Sequence, residues 1–188
     1  MIKIYERRPW YPAKILLVVG PGGAGKSSLG LELAPLLNRH LVDLDEEFRN
    51  RRGDISAFLA SEGYERYKIE NAILAAHIVA EAAAPTVLIA PSGFLTPDNP
   101  EAVLKANHSL SRACYSVCLL PSSDLERSVR VIVARQMERP FARDRASEEA
   151  TIRARYSVYA KLGDLLVFSN ASPRETAAAV ARHCAKRA

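Results

Sequence analysis

With 188 residues, 48% of them hydrophobic, the chain is long enough for one domain with a substantial core. Its longest apolar run is too short to cross a bilayer and no stretch reads as a signal segment, so membrane insertion is not expected and the cytoplasm is the expected compartment. The net charge of +5 rests on 26 basic residues, 19 of them arginine, dispersed without aromatic interleaving, which favours forked recognition of small anions and puts nucleic acid last among the partners considered.

Residues 1–14 carry two prolines, Trp10 and two tyrosines, and form an arm packed over the domain or added as an edge strand. The apolar run Ile15 to Val19 predicts a buried strand, and it leads straight into G-P-G-G-A-G-K-S-S at Gly20 to Ser28. A helical pattern follows through Leu29, Leu33 and Leu36 to about Asn38, thinned by Pro35. Leu41 to Asp45 alternates as a second strand, and Glu46 and Glu47 open a helix. Two helical stretches come after Gly53, Ile55 to Ala60 and about Glu65 to Ala83. Thr86 to Ala90 is a third strand, closed by Pro91, Ser92 and Gly93.

Further on, 100–107 reads as a helix, Tyr115 to Leu120 as a fourth strand, and 122–137 as a helix with a Ser/Asp cap. Residues 138–147 contain R-P-F and several arginines and predict a lid. A helix over 147–161, a fifth strand at Leu165 to Ser169 and a last helix opened by Pro173 complete the chain. Cys114, Cys118 and Cys184 show no metal spacing, the first two reading as buried residues on one strand face, and the four histidines have no evident partners. Strands alternating with helices imply an α/β fold, a five-stranded parallel sheet covered on both faces, with ligands beyond the carboxyl ends of the strands.

Gly20 to Ser28 fits G-x-x-x-x-G-K-[ST] in full, between a strand and a helix. Successive amides of such a loop turn inward around an anion, and the helix adds its positive end. Lys26 then supplies a mobile cation for the β- and γ-phosphates of ATP, and the Ser27 hydroxyl is placed for Mg²⁺. Asp43 and Asp45 close the second strand, two residues apart and expected on one face. One carboxylate near the metal and one near an acceptor hydroxyl is the division a kinase needs; the plainer reading of Asp45 is a cap for the helix that follows.

The ordered set G-G-A-G-K-S-S, D-L-D-E-E, G-Y-E-R-Y-K, R-P-F and R-x-x-x-Y ahead of the last strand resembles the shikimate kinase family, from Ile15 to the C-terminal helix. The resemblance implies a three-layer P-loop kinase domain over 15–188, acting in aromatic amino acid biosynthesis, as a monomer, with ATP, Mg²⁺ and a small polyol acid as its partners. It implies a nucleotide site at Gly23, Ala24, Gly25, Lys26, Ser27 and Ser28, with Arg139 of the lid at the ATP phosphates and Pro173 in the adenine-flanking loop. Ser27 and Asp43 fall at the metal, Lys26, Asp45 and Arg139 at the chemistry, and Asp45, Lys68, Gly93 and Arg155 at the acceptor. Two departures fall on the acceptor side. Lys68 stands where the family has an arginine, and P-S-G at Pro91 to Gly93 replaces a triple glycine, which removes an N–H and restricts how closely the chain can approach a ligand. Shikimate is the leading acceptor on this reading, with another cyclitol or a sugar acid as the alternative, and a catalytically silent ATP-binding regulator as the reading from a different class.

Overall fold

The computed structural model describes residues 2–138 and 144–185. Among them lie six strands and seven helices: β1 (Lys3–Glu6), β2 (Ile15–Val19), α1 (Lys26–Leu36), β3 (His40–Asp43), α2 (Leu44–Arg52), α3 (Ile55–Glu81), β4 (Thr86–Ile89), α4 (Glu101–Ala113), β5 (Tyr115–Leu120), α5 (Leu125–Met137), α6 (Arg145–Tyr159), β6 (Leu165–Phe168) and α7 (Pro173–Ala185). No described helix is long and apolar enough to cross a membrane.

The sheet order is β1-β6-β5-β2-β4-β3, with β2 to β6 parallel and β1 antiparallel to β6. The expected five strands are therefore six. The extra one is the arm, which pairs Lys3 with Phe168 and Glu6 with Leu165 and so covers an edge that would otherwise expose unpaired backbone groups. Trp10 then packs edge-on against Tyr115 at 4.7 Å, and Arg8 meets Asp164 at 2.7 Å. His183 also has a partner, contrary to expectation: its Nε2 lies 2.6 Å from the Glu6 carboxylate, tying α7 to the arm.

Period-two alternation sends successive residues of a strand to opposite faces. On β2, Leu16 and Val18 pack with Leu29 and Leu33 of α1 and Val180 of α7, while Ile15, Leu17 and Val19 pack with Phe48, Leu74 and Tyr159. Both layers exclude water from all five residues of β2, which is why it reads as an unbroken apolar run rather than an alternating one. Helix α1 approaches the sheet closely at Gly30, where a Cβ would lie 2.6 Å from Ile89 Cδ1. Cys114, Cys118 and Cys184 are all buried, but Cys114 caps α4 rather than lying in β5.

Helix α3 is interrupted at Gly63, whose φ of 83° breaks it into the two stretches the sequence predicts. Strand β3 ends two residues earlier than expected, at Asp43. That shift matters, because Asp45 stands in the first turn of α2 and not on a strand face beside Asp43.

Candidate active site

The five parallel strands end on one edge of the sheet, and β2 lies where the connections diverge, towards β4 and β3 on one side and β5 and β6 on the other. A crevice opens at such a point. Among the described residues three cavities run through it in series, neighbours sharing walls.

The first, of about 270 Å³, lies between the loop after β2 and the start of α7, and is lined by Gly23, Ala24, Gly25, Ser28, Arg135 and Pro173 among others. Its expected lining residues are joined by one the sequence did not single out. Arg135 of α5 donates from Nη1 to the Gly23 carbonyl at 3.1 Å and from Nη2 to Asn170 Oδ1 at 2.8 Å, bridging the two loops that frame the cavity.

The second, also about 270 Å³, holds Gly23, Gly25, Lys26, Ser27, Asp43 and Asp45 in its walls. Gly25 caps α1 with φ of 97°, a left-handed conformation that suits glycine and turns the chain so that the first helical amides face the groove. A helix leaves its first amides without intrahelical partners, and no side chain caps them here, so they are available to an anion. Lys26 is buried at the floor and donates to the Pro21 carbonyl at 3.1 Å. The Ser27 hydroxyl lies 2.7 Å from Asp43 Oδ2, and Asp43 Oδ1 accepts from the Asp45 amide at 3.0 Å. Asp43, not Asp45, is thus the residue that caps α2. A hydroxyl and a carboxylate side by side form a hard-oxygen donor pair of the kind Mg²⁺ takes, with room left for phosphate oxygens. Gln136 of α5 reaches the same groove, and its buried Oε1 has no hydrogen-bond partner among the described residues.

The third cavity, about 160 Å³, is smaller than the roughly 300–1,000 Å³ of sites for drug-sized ligands. Tyr64, Tyr67, Lys68 and Asn71 line it from the second half of α3, at the i, i+3, i+4, i+7 spacing that stacks side chains on one helix face. Asp45, Ser92 and Gly93 line it from across the gap. Asp45 and Ser92 belong to both the second and third cavities and so stand at their junction. The Tyr67 hydroxyl donates to Asp45 Oδ1 at 2.6 Å; burial, and next the Asp45 charge, push that hydroxyl far above its ordinary pKa, so it stays a donor. Tyr67 was not foreseen as a site residue. The signal was its recurrence with Tyr64 and Lys68 at helical spacing.

The two expected acceptor-side cations are both engaged by one carboxylate. Lys68 Nζ lies 3.0 Å from Asp98 Oδ2 and also donates to the Asp98 carbonyl, and Arg155 Nη2 lies 3.3 Å from the same Oδ2. Burial opposes the Asp98 charge, but hydrogen bonds from Thr96 and Lys68 and the charges of Arg155 and Lys68 prevail and hold its pKa at about 2. Arg155 is not in the cavity wall itself; a Cβ on Gly93 would lie 3.5 Å from its Nη2. Tyr159 donates to the Ser92 carbonyl at 2.7 Å, fixing the P-S-G turn. Arg139, expected at the chemistry, lies outside the described residues, as does 140–143 of the expected lid; beyond it, α6 starts at Arg145 with Asp144 as its cap.

The sequence model of the shikimate kinase family matches residues 22–186. The shikimate kinase of Pseudomonas entomophila is 31% identical over 164 residues, 84% of this chain and 88% of its own, and that of Thioalkalivibrio sulfidiphilus 29% identical over 157 residues, 81% and 76%. Among solved structures, the shikimate kinase from Acinetobacter baumannii in complex with shikimate superposes with a TM-score of 0.73 at 20% identity, covering 93% of this chain and 94% of that one.

Proposed function

The chain belongs to the shikimate kinase family, ATP-dependent phosphotransferases with an alcohol acceptor, and on that premise we propose that it moves the γ-phosphoryl of Mg-ATP to a hydroxyl of shikimate or a related small cyclic polyol. The observation that carries this reading is Asp45 in the shared wall of the second and third cavities, where a phosphate groove meets a pocket of small-molecule size.

The first cavity, walled by Pro173 and Arg135 among others, would take the adenine. The α1 amides and Lys26 hold the β- and γ-phosphates and offset the charge that builds on the transferring group. Ser27 and Asp43 would hold Mg²⁺, which would supply charge neutralisation at the phosphates. Asp45 orients the acceptor hydroxyl and takes its proton as the oxygen bonds to the γ-phosphorus and the bond to the β–γ bridging oxygen breaks, releasing ADP. Tyr67 fixes the rotamer of Asp45. Arg139 is assigned to the phosphates by its place in R-P-F alone.

Lys26→Ala is expected to abolish turnover. Asp45→Asn is expected to bind ATP normally and to lose acceptor-dependent ADP release across a panel of shikimate and related cyclitols. Normal turnover by Asp45→Asn would remove Asp45 from this role.

A further inference from the structure

The acceptor pocket is furnished with charge in an unusual way. Lys68, 8% exposed, is the only cation in the wall of the third cavity among the described residues, and two of its three N–H donors already go to Asp98, one to the carboxylate and one to the main-chain carbonyl. Arg155, the neighbouring cation, shares the same Asp98 oxygen and reaches Ser92 Oγ at 3.4 Å. An acceptor carboxylate arriving here would meet cations already paired, and would have to sit against Asp98, a like charge competing for the same donors.

Asp98 stands outside the cavity wall with its side chain 46% exposed, yet it is held in place. Its loop is pinned from both sides: Asn99 Nδ2 donates to the Gly93 and Thr96 carbonyls, each at 2.7 Å, and the buried Thr96 hydroxyl donates to the Gly93 carbonyl at 2.9 Å. The segment that forms the P-S-G turn therefore also delivers the carboxylate. Swinging Asp98 aside would break its contacts to Lys68 and Arg155 together.

The rest of the wall suits a polyol of either charge. Asn71 is 3% exposed, its Nδ2 is used on the Tyr67 carbonyl at 3.0 Å, and its Oδ1 has no partner among the described residues. A buried amide oxygen without a donor costs free energy. Asp45 offers carboxylate oxygen from the opposite wall. Asp45 thus asks for a hydroxyl donor, between apolar walls that include Ile55, Leu59 and Phe94.

We propose that Asp98 is a built-in counter-ion that occupies the Lys68–Arg155 pair and sets this pocket for a neutral polyol rather than a carboxylated one. The inference rests on the kinase reading above and narrows its acceptor class.

The test uses one matched pair, shikimate and its methyl ester, which carry the same hydroxyls and differ in charge. ADP release is measured for wild type, Asp98→Asn and Asp98→Ala, with thermal melts to confirm that each is folded. Wild type is expected to favour the ester at least tenfold in kcat/KM, and both variants to shift that ratio at least tenfold towards the acid, mainly through the acid's KM. A wild type that favours the acid, or a ratio unmoved within twofold in the folded variants, overturns the proposal. Should neither compound be turned over, calorimetric binding of the same pair to the complex with a non-hydrolysable ATP analogue decides it by the same ratios. Absence of turnover with every cyclitol and sugar acid tried would count against the kinase reading, not against the role of Asp98.

Discussion

Tyr67→Phe isolates the geometry of the proposed base. The substitution removes one oxygen and leaves the ring, which is held edge-on by Phe48 at 5.0 Å and stacked near Tyr64 at 5.9 Å, so the packing of α3 on α2 is retained. What is lost is an O–H···O⁻ bond of 2.6 Å to Asp45. Hydrogen bonds to charged groups contribute about 1.5–3 kcal/mol. Asp45 borders a cavity and can recruit water in place of Tyr67, which argues for the lower half of that range. If the bond serves to hold Asp45 towards the acceptor hydroxyl, a loss of about 1.5–2 kcal/mol in the transition state lowers kcat by roughly 10- to 30-fold. The KM for ATP should be little changed, because Tyr67 lines neither of the two cavities assigned to the nucleotide. Steady-state kinetics with the best acceptor of the panel, varying ATP and acceptor separately, checks this. A Tyr67→Phe protein with kcat within twofold of wild type would refute the idea that the tyrosine positions the base.

Three further outcomes follow from other parts of the molecule. Arg135→Ala breaks the bridge between Gly23 and Asn170 and is expected to raise the KM for ATP about tenfold with little change in kcat, the value of a charge-assisted bond or two that frame the nucleotide; an unchanged ATP titration would contradict it. Gly163→Ala places a Cβ 2.7 Å from Cys118 Cβ at a residue with φ of 86°, so strain and overpacking together should cost about 3 kcal/mol and lower Tm by about 6–12 °C in a thermal melt. Asp98 has its folded pKa depressed from 3.8 to about 2, so its ion pairs add stability that is fully present above pH 4 and lost as pH falls through 2. Half-exposure screens the effect to about 1 kcal/mol, and the stability gap between wild type and Asp98→Asn in urea should shrink towards zero between those pH values; a gap that widens on acidification would be wrong for this pairing.

The parts of the site that were legible share a property: each is contiguous in sequence. Gly20 to Ser28 carries its strand, its loop and its helix within one stretch, so the phosphate groove follows from local backbone geometry. Of the α3 face that lines the third cavity the sequence reading named Lys68 alone, although Tyr64, Tyr67 and Asn71 recur with it at helical spacing. Alternation misplaced Asp45, because L-V-D-L-D continues a strand pattern while the Asp43 side chain bonds the Asp45 amide and starts the helix sooner. Likewise the arm's composition left open whether it would drape or pair, and only the free edge of β6 settled that.

From its residues alone this chain specified a P-loop kinase fold and the local geometry of its glycine-rich loop, because those depend on neighbours along the backbone. The tertiary structure decided the acceptor side, where Asp98 meets Lys68 across 30 positions and Arg155 across 57, and Tyr67 meets Asp45 across 22. Charge neutralisation acts through space with no regard for separation along the chain, so a pattern of spacings carries no trace of which cation a carboxylate will satisfy once the helices have packed.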